Sequence, residues 1–239
     1  MGMGQTVDVR ITGISSMATR NMLAELTDDY ARLTGQRVAI ESVGGVAAAR
    51  RVEEGESFDI VVLASDAIDR LVTSGRIAAG SRVDLAHSGV AIAVRTGAAR
   101  PDIGTEAAVR EAILKARSIG YSTGPSGAHL MRLFERWGIA EAIASRIVQA
   151  PPGVPVGALV ARGEVELGFQ QFSEFIHLPG IEVIGSLPLE IQVVTVFSAG
   201  VCTSSGQHEA AQALLSFLAS RAADSAKLKH GMEPASRDG

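Results

Sequence analysis

Phe58-Asp59-Ile60-Val61-Val62-Leu63, running into Ala64-Ser65-Asp66, is the stretch that decides the fold. A near-continuous apolar run of strand length reads as a parallel strand buried on both faces. The small polar residues behind it read as a turn into a helix, with Ser65 or Asp66 as N-cap. The same order precedes it twice. Val7 to Thr12 alternates as a strand, Gly13-Ile14-Ser15-Ser16 reads as a polar turn, and Leu23, Leu26, Tyr30 and Leu33 mark one face of a helix from Met17 to a Gly35 C-cap. Arg37 to Glu41 reads as a strand, Ser42-Val43-Gly44-Gly45 as a turn, and the helix after it ends near Glu54.

Three strand–turn–helix units in succession predict a parallel doubly wound α/β sheet. Ligands of such sheets lie outside the carboxyl ends of the strands. The turns Gly13 to Ser16, Ser42 to Gly45 and Ala64 to Asp66 are therefore expected on one crevice. A second α/β set follows the strand Ser88 to Arg95: a helix from Thr105 to Ala116, a strand from Ser118 to Tyr121, the turn Ser122 to Ser126, and a helix from Gly127 to Trp137. Beyond Pro151-Pro152-Gly153 the pattern predicts a helix from Pro155 to Arg162. Strands are expected over Val165–Phe169, Ile181–Ile184 and Ile191–Ser198. A closing helix runs from Gln207 to Lys227, and the tail after His230 reads as frayed.

Composition narrows the function. The 239 residues are 46% hydrophobic and 20% charged with net charge −4, so neither disorder nor a basic nucleic-acid footprint is indicated. Aromatics are 4%, too few for base-stacking platforms. Cys202 is the only cysteine, which excludes an intramolecular disulfide. No His/Asp/Glu spacing points to a metal, no cofactor is expected, and no apolar run reaches the roughly 18 to 20 residues of a membrane span. Met1 to Arg10 lacks the basic start and apolar run of a secretory signal. The chain is thus expected in the cytoplasm as written, or in the periplasm if it starts at a mature N-terminus.

Four stretches carry a resemblance. They are Arg50 to Asp66, Gly89-Val90-Ala91-Ile92-Ala93-Val94, Gly124-Pro125-Ser126-Gly127 ahead of a helix ending Arg136-Trp137-Gly138-Ile139, and Ala158 to Phe169. In this order the chain resembles the type II periplasmic binding proteins, in the molybdate-binding-protein-like branch. The resemblance implies two doubly wound lobes joined by crossover strands: residues 1–90 plus 198–239, and residues 91–197, with the ligand between them. In that family oxyanions are held by hydroxyls and backbone N–H groups at helix starts. Ser16 matches the family's first-turn serine, and Ser126 falls where the family offers an N–H.

The departures bear on the ligand. Gly44-Gly45 stands where a run of hydroxyl residues is common, Pro155 stands near a position of a binding N–H, and Gln171 stands where molybdate binders often carry tyrosine. Glutamine both donates and accepts, whereas a pure oxyanion needs donors. The expected ligand is therefore a small organic carboxylate, held by Ser15, Ser16, Gly44, Gly45, Ser65, Ser122, Ser126, Gln170 and Gln171. A lone serine before a helix is equally explained as an N-cap, so the convergence of the turns carries this reading. Binding of such an anion is the first expectation, with a transporter permease as partner if the chain is exported. An isomerase of unsaturated di- or tricarboxylates, an activity the same branch includes, is the alternative. Its base is expected to be Glu190, at the entry of the strand from Ile191, where burial would raise its pKa. Glu174, past the Phe169 to Gln171 strand, reads as a helix N-terminal carboxylate. A ligand sensor without catalysis is the third possibility.

Overall fold

The computed structural model describes residues 10–235. The strands are β1 (Ile11–Ser16), β2 (Val38–Val43), β3 (Ile60–Ala64), β4 (Val83–Arg95), β5 (Ile119–Tyr121), β6 (Ile147–Gln149), β7 (Leu167–Gln171), β8 (Ile181–Ser186), β9 (Val194–Val201) and β10 (Glu233–Pro234). The helices are α1 (Arg20–Thr34), α2 (Gly45–Glu53), α3 (Ser65–Thr73), α4 (Glu106–Lys115), α5 (Pro125–Arg136), α6 (Ala140–Ile143), α7 (Val156–Ala161), α8 (Phe172–Phe175), α9 (His208–Ala219) and α10 (Asp224–Lys229). A 3-10 turn over Met17–Thr19 joins β1 to α1.

One mixed sheet runs β2-β1-β3-β9-β4-β7-β5-β6, with β8 and β10 also paired to β4. β1 pairs in parallel with β2 and β3, and β5 with β6 and β7. Between these parallel sets run β4 and β9, antiparallel to each other and to their outer neighbours. They are the two crossover strands of a two-lobed α/β fold. All five residues of β3 are buried, as its apolar run requires.

Each half of the sheet is covered on both faces. In the first, Met22, Leu23 and Leu26 of α1 pack with Leu214, Leu215 and Leu218 of α9 on one side, and Ala48, Val52, Ile68 and Leu71 of α2 and α3 lie on the other. In the second, the pleat of β4 sends Val90 and Ile92 toward α4 and α5, and Ala91 and Ala93 toward α7 and α8. Cys202 is a core thiol, pushed up to about 12 by burial and by the Asp59 charge.

Several boundaries differ from the sequence reading. Gly13 to Ser16 is the end of β1, not a turn: Ile14 and Ser15 are buried between β2 and β3, and a Cβ on Gly13 would lie 2.8 Å from Ile60 Cγ1. Val7 to Val9 lies outside the described residues. Ser42 and Val43 likewise belong to β2 and Gln170 and Gln171 to β7. Ala64, not Ser65 or Asp66, is the residue at the cap of α3, and no side chain caps it. The closing helix breaks at Ser220, whose extended backbone separates α9 from a short turn and α10. Of the tail expected to fray after His230, Glu233–Pro234 form β10, which pairs with His87 and Ala86 of β4, and residues 236–239 lie outside the described residues. β6 and α6 were not foreseen, being three and four residues long. Gly35 caps α1 at φ 76° as expected.

Asp59 ties the chain's distant parts together. Its carboxylate accepts from the Thr12 backbone N–H (2.8 Å) and Oγ1 (3.0 Å), from Ser205 Oγ (2.6 Å) and from Gln207 Nε2 (3.4 Å). Replacing it strands these donors. Asp59→Ala is expected to lower unfolding free energy by about 1–3 kcal/mol, read as an earlier urea midpoint at unchanged m-value.

Candidate functional site

The C-terminal ends of β1, β2 and β3, and of β5, β6 and β7, place the candidate residues. Ser15 and Ser16 close β1. Ser15 is fully buried and its Oγ lies 2.8 Å from Ser42 Oγ at the end of β2, so these hydroxyls are mutual partners. Ser16 differs. It is 7% exposed, its carbonyl accepts from Thr19 Oγ1 at 3.0 Å, and its own Oγ, buried, has no hydrogen-bond partner among the described residues. A buried hydroxyl without a partner costs about 1–3 kcal/mol. The start of α2 stands over it, since a Cβ on Gly45 would lie 3.5 Å from Ser16 Cβ. Gly44 is the N-cap residue of α2 and offers no side chain there. Ser65, half-buried, opens α3 at the end of β3.

In the second half, Ser122 and Ser126 lie at the end of β5, their Oγ atoms 3.4 Å apart, with Ser126 buried. Pro125 begins α5, where its missing N–H costs no hydrogen bond. Only glycine fits at 127, because a Cβ would fall 1.7 Å from the Ser122 carbonyl oxygen. The loop therefore folds tightly back on its own helix start.

The two glutamines do structural work first. Gln170 Oε1 accepts from the Val156 N–H at the head of α7 (2.9 Å), and its Nε2 donates to Glu174 Oε2 (2.6 Å). Gln171 bridges both crossover strands. In the orientation that satisfies its amide, Nε2 donates to the carbonyls of Ser88 (2.9 Å) and Gly89 (3.2 Å) of β4, and Oε1 accepts from Thr195 Oγ1 (2.8 Å) of β9. The ligand contact expected of Gln171 is left one lone pair of Oε1. Gln192 also bonds to β4, accepting from the Val90 N–H at 2.9 Å and donating to its carbonyl at 3.0 Å.

Glu190 is exposed, in the turn between β8 and β9, so the burial expected for it is not found. The perturbed carboxyl is Glu174. It retains part of its surface, yet protein crowds it, and burial pushes its pKa up from 4.5 to about 8 against the hydrogen bond from Gln170. Its helix, α8, packs against the Met17–Thr19 turn that follows Ser16. Local sequence gives no signal for it, because Gln170 lies in β7 and Glu174 in α8 and the crowding comes from tertiary packing. Farther out, His177 Nε2 meets His230 Nδ1 at 3.1 Å, while His230 Nε2 lies 2.8 Å from Glu25 Oε2. Among the described residues, no group of three or more His, Cys, Asp or Glu could hold a metal ion, and no helix is long and apolar enough to cross a membrane.

Residues 11–233 match the family described as bacterial extracellular solute-binding protein. An aconitate isomerase from Pseudomonas sp is 39% identical over 230 residues, which are 94% of this chain and 87% of that protein. The periplasmic molybdate-binding protein of Azotobacter vinelandii superposes with a TM-score of 0.79 at 19% identity, covering 95% of this chain and all of that one. A periplasmic thiamin binding protein superposes at 0.77 with 16% identity, covering 99% and 86%. At such identities these two structures speak to the fold.

Ser16 separates a ligand group from a structural one. Ser16→Ala removes an unsatisfied hydroxyl, so the ligand-free protein is expected to hold its melting temperature or gain slightly. Affinity for an anion in the cleft should fall about tenfold, near the 1.5–3 kcal/mol of a hydrogen bond to a charged group. Calorimetry alongside thermal melts reads both.

Proposed function

The chain belongs to the bacterial extracellular solute-binding protein family, and on that premise we propose that its cleft binds an unsaturated tricarboxylate and isomerises it, interconverting trans- and cis-aconitate. The observation that carries this reading is the 39% identity to an aconitate isomerase across nearly the whole chain. Ser16 supports it, because an unpartnered hydroxyl at a strand end fits a carboxylate oxygen that completes it. The lobes would comprise residues 1–90 with 198–239 and residues 91–197. They would close about β4 and β9, with Ser15, Ser16, Gly44, Gly45 and Ser65 on one wall and Ser122, Ser126 and Gln170 on the other.

The reaction suits such a site. Aconitate carries a methylene group next to its double bond. Loss of a methylene proton gives an allylic anion delocalised into the flanking carboxylates. Return of a proton at the opposite end gives the same skeleton with the double bond moved, which is where cis and trans exchange. The chain's part is to hold three carboxylates, exclude water and move one proton.

A receptor that hands the same carboxylate to a transporter permease outside the cytoplasm is the second reading, favoured by the family's solute-binding description. Molybdate is disfavoured in both, since Gly45 has no hydroxyl and the Gln171 amide is engaged in the hinge.

Two measurements test this together. A thermal-shift panel of oxyanions and carboxylates should single out aconitate isomers, a ligand at 100 times its Kd adding about 2.7 kcal/mol. Chromatography should then show trans-aconitate turning into cis. Tight tricarboxylate binding without turnover selects the receptor. Micromolar molybdate affinity contradicts the carboxylate reading.

A further inference from the structure

We propose that Glu174 is the acid–base residue of this cleft, taking a proton from the substrate methylene and returning it to the far carbon of the allyl system. The inference rests on the isomerase reading and adds to it the group that carries the proton.

Three placements point to Glu174. It follows the carboxyl end of β7 directly, on a helix that packs against the turn after Ser16, so the carboxyl belongs to the edge where the other candidate residues gather. One of its oxygens, Oε2, is held by Gln170, which is itself fixed by the Val156 N–H. That chain of bonds sets the direction of the carboxyl, and Oε1 receives no hydrogen bond among the described residues. Finally, Glu174 is neither fully buried nor solvated: part of its surface remains open to a ligand while the surrounding protein destabilises its charge.

Two carboxylates that could compete for this role are held elsewhere. α8 packs on β4, β7, β8 and the Met17–Thr19 turn. The titratable residues of those elements are Asp84, His87 and Arg95 of β4 and Glu182 of β8. Asp84 is bound by Arg82 and Ser198, and Glu182 by Arg100. Glu190 is exposed.

The step balances within the site. The Glu174 carboxylate removes one methylene proton; the C–H bond breaks and its electron pair enters the allyl–carboxylate system. The new carboxylic acid then gives its proton to the carbon at the other end, forming a C–H bond and restoring the carboxylate. Nothing is oxidised or reduced. An acid with a pKa near 8 populates both forms close to neutral pH, which a group that must serve as base and then acid requires.

The test follows interconversion of trans- and cis-aconitate by proton NMR, for the wild type and Glu174→Gln, beside calorimetric affinity for trans-aconitate. The glutamine can still accept from Gln170, so the variant should melt near the wild type and bind trans-aconitate within about threefold. Its isomerisation rate should fall about 100-fold or more. A variant that isomerises at the wild-type rate overturns Glu174 and leaves the isomerase standing. A wild type that binds aconitate and does not interconvert its isomers overturns the isomerase and Glu174 with it. If the variant does not fold, the wild-type pH profile decides. The rate should rise with pH through a value well above the ordinary carboxylate range. A rise near 4.5, or none, overturns the proposal.

Discussion

The rest of the structure depends on one constraint, the parallel pairing of β1 with both β2 and β3 and of β5 with both β6 and β7. Parallel strands send every following helix from the same edge. β1, β2 and β3 therefore end at Ser16, Val43 and Ala64, each just before a helix, and β5 and β7 end before α5 and α8. The antiparallel strands β4 and β9 are the seam between the two sets. Gln171 stitches that seam from the end of β7, bonding to both β4 and β9.

Against this well-bonded background two groups stand out. Ser16 Oγ is buried without a partner, although Ser15 one residue away has Ser42. Glu174 is crowded until its acid form is favoured, although most other shifted carboxylates in the chain, such as Glu25, Glu41 and Glu106, are pulled down by hydrogen bonds. Both carry a cost in the ligand-free protein. On the proposed function a negatively charged ligand with an acidic C–H would relieve the first and use the second, and α8 packs against the turn after Ser16.

Much of the fold was legible because apolar periodicity reports burial directly. The run at Phe58 to Leu63 gave β3, and the spacing of Leu23, Leu26 and Tyr30 gave α1. Polar residues at strand ends misled. Ser15, Ser16 and Ser42 read as turn residues, yet all lie in strands, because in a parallel sheet the last strand residues are where polar side chains face the crevice. Ser65 read as an N-cap because capping and helix-opening serines have the same local sequence; only backbone geometry separates them. The break at Ser220 carries no glycine or proline, so periodicity ran through it.

The site was legible by position and less so by role. Ser16 ends β1 and Ser126 lies in the first turn of α5, whereas Gln171 is tied to carbonyls some eighty residues away in β4. Glu190 drew attention for its place beside an apolar strand and proved exposed, while the crowding of Glu174 comes from tertiary packing that no local pattern encodes. The most direct measurement starts from trans-aconitate carrying two deuterons on its methylene carbon and locates them in the cis product. Transfer between carbons predicts one deuteron on the former methylene carbon, now vinylic. Cis-aconitate that keeps both deuterons on an intact methylene would contradict the account, because its double bond would have turned without any C–H bond being broken.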